Sequence, residues 1–246
     1  MKLYIDIGNS YIKSVEDKDG LGEITSILND EHSLEMLFSK YVRNLETPEQ
    51  IIVSDVVGGK VAEIISNICR REWAISPKYL EVSKESCNVH NGYNKFSQLG
   101  IDRWAGIIGA WNKYKSCLCI VDCGSTVTLD IVLESGEHQG GYIIPGNYLM
   151  MRTLVENTSK ILVTTSEITS VPGRSTVECM ANGTTSAVSS FIENKFNSLN
   201  NAGEKIFRCV ITGGGADVIM EHLTISYDYD PLLVIEGMKM INEASL

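Results

Sequence analysis

The sequence has no Cys-x-x-Cys pair, although it contains seven cysteines among its 246 residues. An odd number of cysteines without paired spacing argues against a disulfide framework and against a structural zinc site. It favours a reducing compartment, and we therefore predict a cytoplasmic protein. The cysteines stand at positions 69, 87, 117, 119, 123, 179 and 209.

Basic clusters and long apolar runs are also missing. The formal net charge is −10 and no run of basic residues occurs, which argues against nucleic acid as a main partner because phosphate backbones demand clustered Lys and Arg. No apolar run is long enough to span a bilayer, and the chain enters a strand by Leu3 without a signal-peptide core. We expect neither a nucleic-acid partner nor a membrane partner.

The most informative feature that is present occurs twice. An apolar strand ends in Asp-x-Gly-[Asn/Ser]-[Ser/Thr] at 6–10 and again at 122–126, which are 116 positions apart because 122 minus 6 is 116. Alternating polar and apolar residues follow each copy, as in an antiparallel hairpin. A repeat separated by nearly half the chain predicts two similar lobes, which we divide into residues 1–116 and 117–246.

The residue types of the repeated turn are suited to binding a nucleotide polyphosphate. Glycine allows positive φ and close approach of a ligand, and the hydroxyl side chains add donors beside exposed amides. The aspartate carboxylates would repel a bare phosphate. They are compatible with a phosphate when a Mg²⁺ ion lies between the carboxylate and the phosphate. Each copy alone is better explained as an ordinary tight hairpin, but the duplication favours the phosphate interpretation. The residues are Asp6, Gly8, Asn9 and Ser10 in the first copy, and Asp122, Gly124, Ser125 and Thr126 in the second.

Strands alternate with amphipathic helices along the chain, which predicts an α/β fold. An apolar strand at 50–57 lies between a helix at 33–41 and a helix that begins near Gly59. Further along, 166–175 reads as a loop that ends at the Ser175-Thr176 cap of another helix. A strand ending at Thr212 opens into three glycines, a junction that admits a planar or phosphate group against bare backbone, although a simple tight connection is also possible.

A polar loop at 87–100 leads directly into a strong helix that begins with Asp102 and Arg103 in its first turn. Asp102 has an ordinary explanation, because an acid favours the positive end of the helix dipole. Arg103 does not, since a cation is mildly unfavourable there. Phosphoryl transfer needs at least a carboxylate that can take a proton from the acceptor hydroxyl and a cation that stabilises the charge of the transferred phosphoryl group. Asp102 and Arg103 are residues of these two types.

Four ordered stretches resemble the motifs of type III pantothenate kinases, which belong to the acetate and sugar kinase, Hsc70 and actin superfamily. The stretches are 6–10, Gly100-Ile-Asp-Arg103, 122–130 and Gly140-Gly-Tyr-Ile-Ile-Pro-Gly146. The resemblance implies an α/β fold with two similar ribonuclease H-like (actin-like ATPase) lobes, each a mixed sheet flanked by helices. It also implies transfer of the γ-phosphate of ATP to the 4′-hydroxyl of pantothenate, the first step toward coenzyme A.

The same resemblance implies functional roles for individual residues of this chain. Asp102 is the expected general base and Asp122 is expected to help hold a monovalent cation, K⁺ or NH₄⁺. The family is homodimeric, and Thr176 is expected to reach the pantothenate of the neighbouring subunit. The expected pantothenate pocket comprises Tyr93, Gly100, Ile101, Asp102, Arg103 and Thr176. The expected sites for Mg²⁺ and nucleotide phosphates comprise Asp6, Gly8, Asn9, Ser10, Lys13, Gly124, Ser125, Thr126, Gly213 and Gly214.

Small departures from the family pattern leave alternatives open. Ser125-Thr126 replaces the more common Thr-Ala, so the phosphate donor is either Ser125 or Thr126. A regulatory relative on the same scaffold, or a kinase of the superfamily acting on another small alcohol, is the alternative function. A regulator could lose Asp102 or Lys13 without harm, and this chain keeps both.

Overall fold

A computed structural model describes residues 1–157, 168–169, 171–203 and 205–245. The chain divides into two compact units. Unit 1 comprises Met1–Lys113 together with Leu232–Leu246, and unit 2 comprises Tyr114–Pro231. The C-terminal residues thus group with the first unit, whereas the division drawn from the sequence places them with the second lobe.

Unit 1 contains a five-stranded mixed sheet in the order β3-β2-β1-β4-β5. The first three strands pair antiparallel, and β4 and β5 continue the sheet in parallel. A small hairpin of β6 and β7 and a 3-10 turn at Phe96–Gln98 follow β5. The strands are β1 Lys2–Ile7, β2 Tyr11–Asp17, β3 Thr25–Leu28, β4 Gln50–Asp55, β5 Lys78–Tyr79, β6 Glu85–Ser86 and β7 Val89–His90, and the first helices are α1 Leu34–Val42, α2 Gly59–Trp73 and α3 Ile101–Tyr114.

Unit 2 repeats this topology with a sheet in the order β10-β9-β8-β11-β12. Its first three strands are again antiparallel and its last two parallel. The prediction of two similar lobes with mixed sheets is confirmed. The elements are β8 Cys117–Cys123, β9 Thr126–Val132, β10 His138–Pro145, α4 Asn147–Glu156, α5 Thr176–Asn201, β11 Phe207–Thr212, α6 Ala216–Met220 and β12 Tyr227–Tyr229; α7 Leu233–Ala244 then returns the chain to unit 1.

Alternating apolar residues explain how each sheet acquires a core. In unit 1, Leu3 and Ile5 of β1 are fully buried with Phe38 of α1 and Ile65 of α2. In unit 2, Val121 of β8 packs with residues of α5 and α6 in a second apolar core. Burying one such side chain contributes roughly 1.5–3 kcal/mol, so each core supplies its own driving force for folding.

The cap predicted before α5 is confirmed. The Ser175 hydroxyl accepts a hydrogen bond from the Glu178 backbone N–H at 3.3 Å, and Glu178 Oε2 accepts one from the Arg174 N–H at 2.6 Å. The first bond satisfies an amide donor that the first turn of a helix leaves without a partner, and the second ties the residue before the cap to that turn. The loop predicted at 166–175 lies partly outside the described residues.

Several short elements were not predicted from the sequence, namely β3, β5, the hairpin of β6 and β7, and β12. β3 is only four residues long, and three of its residues are exposed, so it lacks an apolar signal. The hairpin of β6 and β7 overlaps the start of the stretch interpreted as a polar loop: β6 precedes it, and Cys87 and Asn88 form the hairpin tip with φ of 51° and 62°. Among the described helices, none combines the length and apolar character that a bilayer crossing requires.

Candidate active site

The first copy of the repeated motif forms the turn between β1 and β2. The Gly8 N–H donates to the Tyr11 carbonyl at 3.1 Å and closes the turn. Asn29, immediately after β3, holds it from the side: its backbone N–H donates to the Ser10 carbonyl at 2.9 Å and its Nδ2 to the Gly8 carbonyl at 2.8 Å. Sequence reasoning missed Asn29, because an isolated asparagine far from the motif carries no signal of this contact.

Asp6 lies opposite two polar residues of neighbouring strands, Lys13 of β2 and Ser54 of β4. Directly paired residues project from the same face of a sheet, so the Asp6 carboxylate and the Lys13 ammonium share one face. Ser54 is fully buried, and its hydroxyl donates to Asp6 Oδ1 at 2.9 Å. This bond orients the carboxylate. Sequence reasoning missed Ser54, since a serine inside an apolar strand has no motif of its own.

An oriented aspartate beside a turn of backbone amides fits Mg²⁺ bound to a nucleotide. Mg²⁺ commonly keeps several waters and is held through one or two carboxylates together with substrate phosphates. Such a site needs few protein ligands. No group of three or more His, Cys, Asp and Glu side chains gathers as a metal site in the part of the chain that the structure describes.

The second copy of the motif forms the turn between β8 and β9. Cys123 pairs with Val127, whereas Ile7 pairs with Ile12 in the first hairpin, so the second turn is one residue shorter. Gly146, immediately after β10, donates its N–H to the Ser125 carbonyl at 3.0 Å. The two hairpins are therefore held in the same way, each by the residue that follows the third strand of its sheet.

The difference in length decides which residue corresponds to Ser10. Ser10 immediately precedes the first residue of β2, and Ser125 immediately precedes the first residue of β9. Their carbonyls accept the N–H groups of Asn29 and Gly146, respectively. Ser125, and not Thr126, is the structural counterpart of Ser10.

The three-glycine turn after β11 packs on the end of β8. A Cβ at Gly213 would lie 2.4 Å from Asp122 Oδ1 and 2.5 Å from the Cys123 carbonyl oxygen, and Gly213 has φ of 99°. The Gly215 N–H donates to the same carbonyl at 2.8 Å. A Cβ at Gly214 would meet no described atom within 4 Å. Gly213 is thus needed for packing, and Gly214 is the glycine whose backbone remains open to a ligand.

Cys123 lies inside the second motif but is not suited to thiol chemistry. The side chain is 1% exposed, and burial raises the pKa of the Cys123 thiol to about 12. Because the thiolate is the nucleophilic form, a thiol with this pKa is inert near neutral pH.

Asp102 is positioned by the start of α3. Asp102 Oδ1 accepts a hydrogen bond from the Arg103 backbone N–H at 2.7 Å, and the Gly100 carbonyl accepts one from the Trp104 N–H at 2.9 Å. A Cβ at Gly100 would lie only 2.4 Å from Asp102 Oδ1. Glycine at position 100 therefore leaves the space that the carboxylate occupies. Ile101 beside it is 6% exposed and anchors the first turn.

Arg103 is paired with Tyr93 of the polar loop. Its Nη1 donates to the Tyr93 hydroxyl at 2.8 Å, and its guanidinium carbon lies 5.6 Å from the centre of the Tyr93 ring. The arginine is 8% exposed and Tyr93 is half-buried, so the guanidinium is the better shielded member of the pair. The structure brings together these two predicted site residues, ten positions apart in the chain.

The first hairpin and the start of α3 lie at the same end of the unit 1 sheet. Val56 directly follows β4, and its N–H donates to the Ile7 carbonyl at 3.3 Å, next to Gly8. Its Cγ1 would lie 3.7 Å from a Cβ at Gly100. Val56 thus links the turn that follows Asp6 to the helix start that carries Asp102.

Thr176 is the exposed first residue of α5 in unit 2. It lines a cleft of about 310 Å³ together with Met150, Leu154 and Met180. Apart from Thr176 and Thr184, the lining is apolar or made of small residues.

Comparison with known proteins identifies the family of this chain. The model of the type III pantothenate kinase family matches residues 2–198. The chain belongs to the type III pantothenate kinase family. A type III pantothenate kinase from Nitrosococcus oceani is 31% identical over 248 positions that cover 98% of this chain and 93% of the relative. Another from Hydrogenovibrio crunogenus is 27% identical, with 99% and 100% covered. Membership confirms the predicted resemblance and the assignment as a kinase.

Solved structures confirm the fold. A chain from Campylobacter jejuni described as a Baf family transcriptional activator aligns with a TM-score of 0.61 at 19% identity, covering 99% of this family member and 98% of that chain. The activator of 2-hydroxyisocaproyl-CoA dehydratase from Clostridium difficile, with bound ADPNP, aligns with a TM-score of 0.54 at 13% identity, covering 99% and 95%. At these identities the likeness concerns the fold alone.

Proposed function

We propose that this chain phosphorylates the 4′-hydroxyl of pantothenate with ATP, as the first step of coenzyme A biosynthesis. The observation that carries the proposal is the Asp102 carboxylate, held at the start of α3 beside the strand ends that follow Asp6. The match of residues 2–198 to the family favours a kinase over the regulatory alternative.

Asp102 is the proposed general base. Its carboxylate takes the proton of the acceptor hydroxyl as that oxygen attacks the γ-phosphorus, while the bond to the leaving oxygen of ADP breaks. Arg103 and Tyr93 form the proposed polar wall of the pantothenate pocket, with Gly100 and Ile101 at its base. Pantothenate carries a carboxylate, and a largely buried guanidinium can pair with it in a bidentate, charge-assisted way.

The first hairpin is the proposed site for Mg²⁺ and nucleotide phosphates in unit 1. Asp6 would hold the ion directly or through water, and Lys13 on the same face would offset phosphate charge. The amides around Gly8 and Asn9 and the hydroxyl of Ser10 would supply donors. Mg²⁺ supplies neutralisation of the charge that develops on the transferred phosphoryl group.

In unit 2, the proposed phosphate contacts come from Gly124 and Ser125, with Gly214 offering open backbone after β11. Asp122 is the proposed ligand of a monovalent cation, K⁺ or NH₄⁺. A Cβ at Gly213 would lie 2.4 Å from Asp122 Oδ1, so glycine at this position keeps a side chain away from the carboxylate oxygen, which supports that role. The assignment favours Ser125 over Thr126 because of its correspondence with Ser10.

A homodimer is the proposed assembly, with Thr176 near the pantothenate of the partner subunit. Large apolar side chains of β10 and α4 are exposed in unit 2, including Tyr148 at 73% and Ile143 at 57%. Together with the apolar cleft beside Thr176, this surface supports burial against a second copy. Light scattering after size exclusion is expected to give twice the monomer mass, and Tyr148→Glu is expected to lower it. A monomeric wild type at tens of micromolar would contradict the assembly. A cytoplasmic location remains a prediction.

The decisive experiment is a coupled assay with ATP, pantothenate, MgCl₂ and KCl. Asp102→Asn is expected to lower kcat at least roughly 100-fold, since a positioned general base contributes about 10²–10⁴ in rate. Asp19→Asn, at an exposed aspartate between β2 and β3, is the matched control and should leave kcat unchanged. Full activity of Asp102→Asn would remove the proposed base, and no turnover by the wild type at millimolar ATP would remove the function.

The choice between the two hydroxyls of the second turn has a direct test. Ser125→Ala is expected to raise the KM for ATP at least about tenfold, because a hydrogen bond to a charged group contributes roughly 1.5–3 kcal/mol. Thr126→Ala is expected to leave that KM within about twofold. The reverse order of the two variants would show that the strand-based correspondence does not extend to phosphate binding.

A further inference from the structure

We infer that Asn91 is a positioning residue for the acceptor pocket, acting through Tyr93. The inference rests on the proposed function, because it names a residue that shapes the proposed pantothenate site. Asn91 lies in the polar loop at 87–100.

Asn91 connects three parts of this loop. Its side-chain Oδ1 accepts a hydrogen bond from the Tyr93 backbone N–H at 3.0 Å. Its Nδ2 donates to the Ser83 carbonyl and to the Phe96 carbonyl, both at 3.4 Å. Its own backbone N–H donates to the Lys84 carbonyl at 2.9 Å. One half-buried side chain therefore joins the segment before β6, the backbone of Tyr93 and the 3-10 turn that precedes α3.

The bond from Tyr93 to Asn91 has the two-residue spacing of an Asx turn, in which the side chain replaces a backbone partner. It sets the direction in which the Tyr93 side chain leaves the loop. That side chain then accepts the Arg103 hydrogen bond at 2.8 Å. The position of the Tyr93 side chain therefore depends on Asn91, and the position of the Arg103 guanidinium depends on Tyr93.

A second anchor holds the far end of the same loop. Asn112 of α3 donates Nδ2 to the Cys87 carbonyl at 3.2 Å, at the tip of the hairpin of β6 and β7. Because that tip is fixed to α3, the hydrogen bonds of Asn91 hold the backbone segment between the hairpin and the 3-10 turn in position. Loss of the Asn91 side chain would release the segment that carries Tyr93 while leaving both ends attached.

The amide group of Asn91 is required because it both donates and accepts. Asn91→Asp keeps an acceptor for the Tyr93 N–H but loses both Nδ2 donations. Asn91→Ala loses all three side-chain bonds. Asn94→Ala is the matched control, since Asn94 lies in the same loop and is exposed.

The kinetic test separates the two substrates. Asn91→Ala is expected to raise the KM for pantothenate about fivefold and to leave the KM for ATP within about twofold, because the first hairpin does not depend on this loop. Asn91→Asp should fall between Asn91→Ala and the wild type, and Asn94→Ala should match the wild type. In a Tyr93→Phe background, which already lacks the bond to Arg103, Asn91→Ala should have a smaller effect.

Equal KM values for pantothenate in Asn91→Ala and Asn94→Ala would overturn the inference, as would an equal rise in both KM values. A separate readout does not depend on turnover. Amide hydrogen exchange at Tyr93 should be faster in Asn91→Ala than in Asn91→Asp or Asn94→Ala. If the wild type does not phosphorylate pantothenate, the proposed function fails by itself, and unchanged exchange at Tyr93 in Asn91→Ala would still overturn the positioning role.

Discussion

At the residue scale, Gly100 stands where any side chain would meet the Asp102 carboxylate. In Gly100→Ala the new Cβ would lie 2.4 Å from Asp102 Oδ1, and the carboxylate can rotate away because it is the end of a side chain. We expect a folded protein with nearly unchanged thermal stability and kcat lowered about 100-fold, as a misplacement of roughly 1 Å can cause. Full activity would mean that the carboxylate position is not critical. The test compares the melting temperature and the steady-state kcat of Gly100→Ala with those of the wild type.

Ser54 is a second residue whose substitution should affect activity through a neighbouring side chain, the Asp6 carboxylate. Ser54→Ala removes the hydroxyl that orients Asp6, so we expect a KM for MgATP raised about fivefold and a loss of roughly 1 kcal/mol in the free energy of unfolding. Ser66→Ala is the control, because the Ser66 hydroxyl lies 2.8 Å from the Tyr79 hydroxyl in the same unit. It should lose similar stability without a change in KM. Equal KM values in both variants would contradict an orienting role for Ser54.

At the element scale, α3 and α7 of unit 1 approach closely through glycines. A Cβ at Gly109 would lie 2.4 Å from the Leu233 carbonyl oxygen and 3.1 Å from the Gly237 nitrogen. Backbone atoms cannot rotate away as a side chain can. The two helices can therefore pack at this distance only with glycine at the contact.

Gly109→Ala is expected to lower the free energy of unfolding by roughly 1–3 kcal/mol, the usual cost of overpacking. Gly106→Ala, one turn earlier in α3, is the matched control. Its Cβ would lie 3.8 Å from the Val234 side chain, an ordinary contact, and alanine favours a helix by up to about 1 kcal/mol over glycine. Urea denaturation of both variants tests the difference, and equal midpoints would show that the helices adjust.

At the scale of the whole molecule, buried thiols link stability to alkaline pH. Burial raises the pKa of Cys69 to about 12 from its ordinary 9.0, and a hydrogen bond with Cys209 together with burial raises the pKa of Cys119 well above that value. A raised pKa means that the folded state keeps the proton while the unfolded state loses it. Stability from these groups is therefore fully present below about pH 9 and is lost as the pH rises from there toward 12.

We expect the free energy of unfolding, measured by urea titration, to fall between pH 8.5 and 10.5. Cys69→Ala should make this fall less steep, because one buried thiol no longer contributes. Cys87→Ala is the control, since Cys87 is only half-buried in the hairpin of β6 and β7. An unchanged slope in Cys69→Ala would show that other groups dominate the alkaline response.

Much of the fold could be predicted because its pattern is local. Apolar alternation marks β1 and β8, helical spacing marks α1, α2 and α3, and a serine cap marks α5. β3 and the hairpin of β6 and β7 could not be predicted, since they are short, polar and stabilised by pairing with distant or adjacent segments. In the candidate site, the aspartates and glycines were predicted from repetition and order. No motif records the hydrogen bonds of Asn29 with the first turn, of Ser54 with Asp6, of Gly146 with Ser125 or of Asn91 with Tyr93.

Short runs of neighbouring residues were enough to predict the two hairpins, the helix that carries Asp102 in its first turn and the family to which the chain belongs, because each depends on a pattern that is contiguous in the chain. The three-dimensional structure was needed to show that Ser125 corresponds to Ser10 and that α7 joins the first unit. It also shows the hydrogen bonds from the Tyr93 N–H to Asn91 Oδ1 and from Arg103 Nη1 to the Tyr93 hydroxyl. These relations depend on strand register and on contacts between residues remote in the chain, and neither is set by local residue preference.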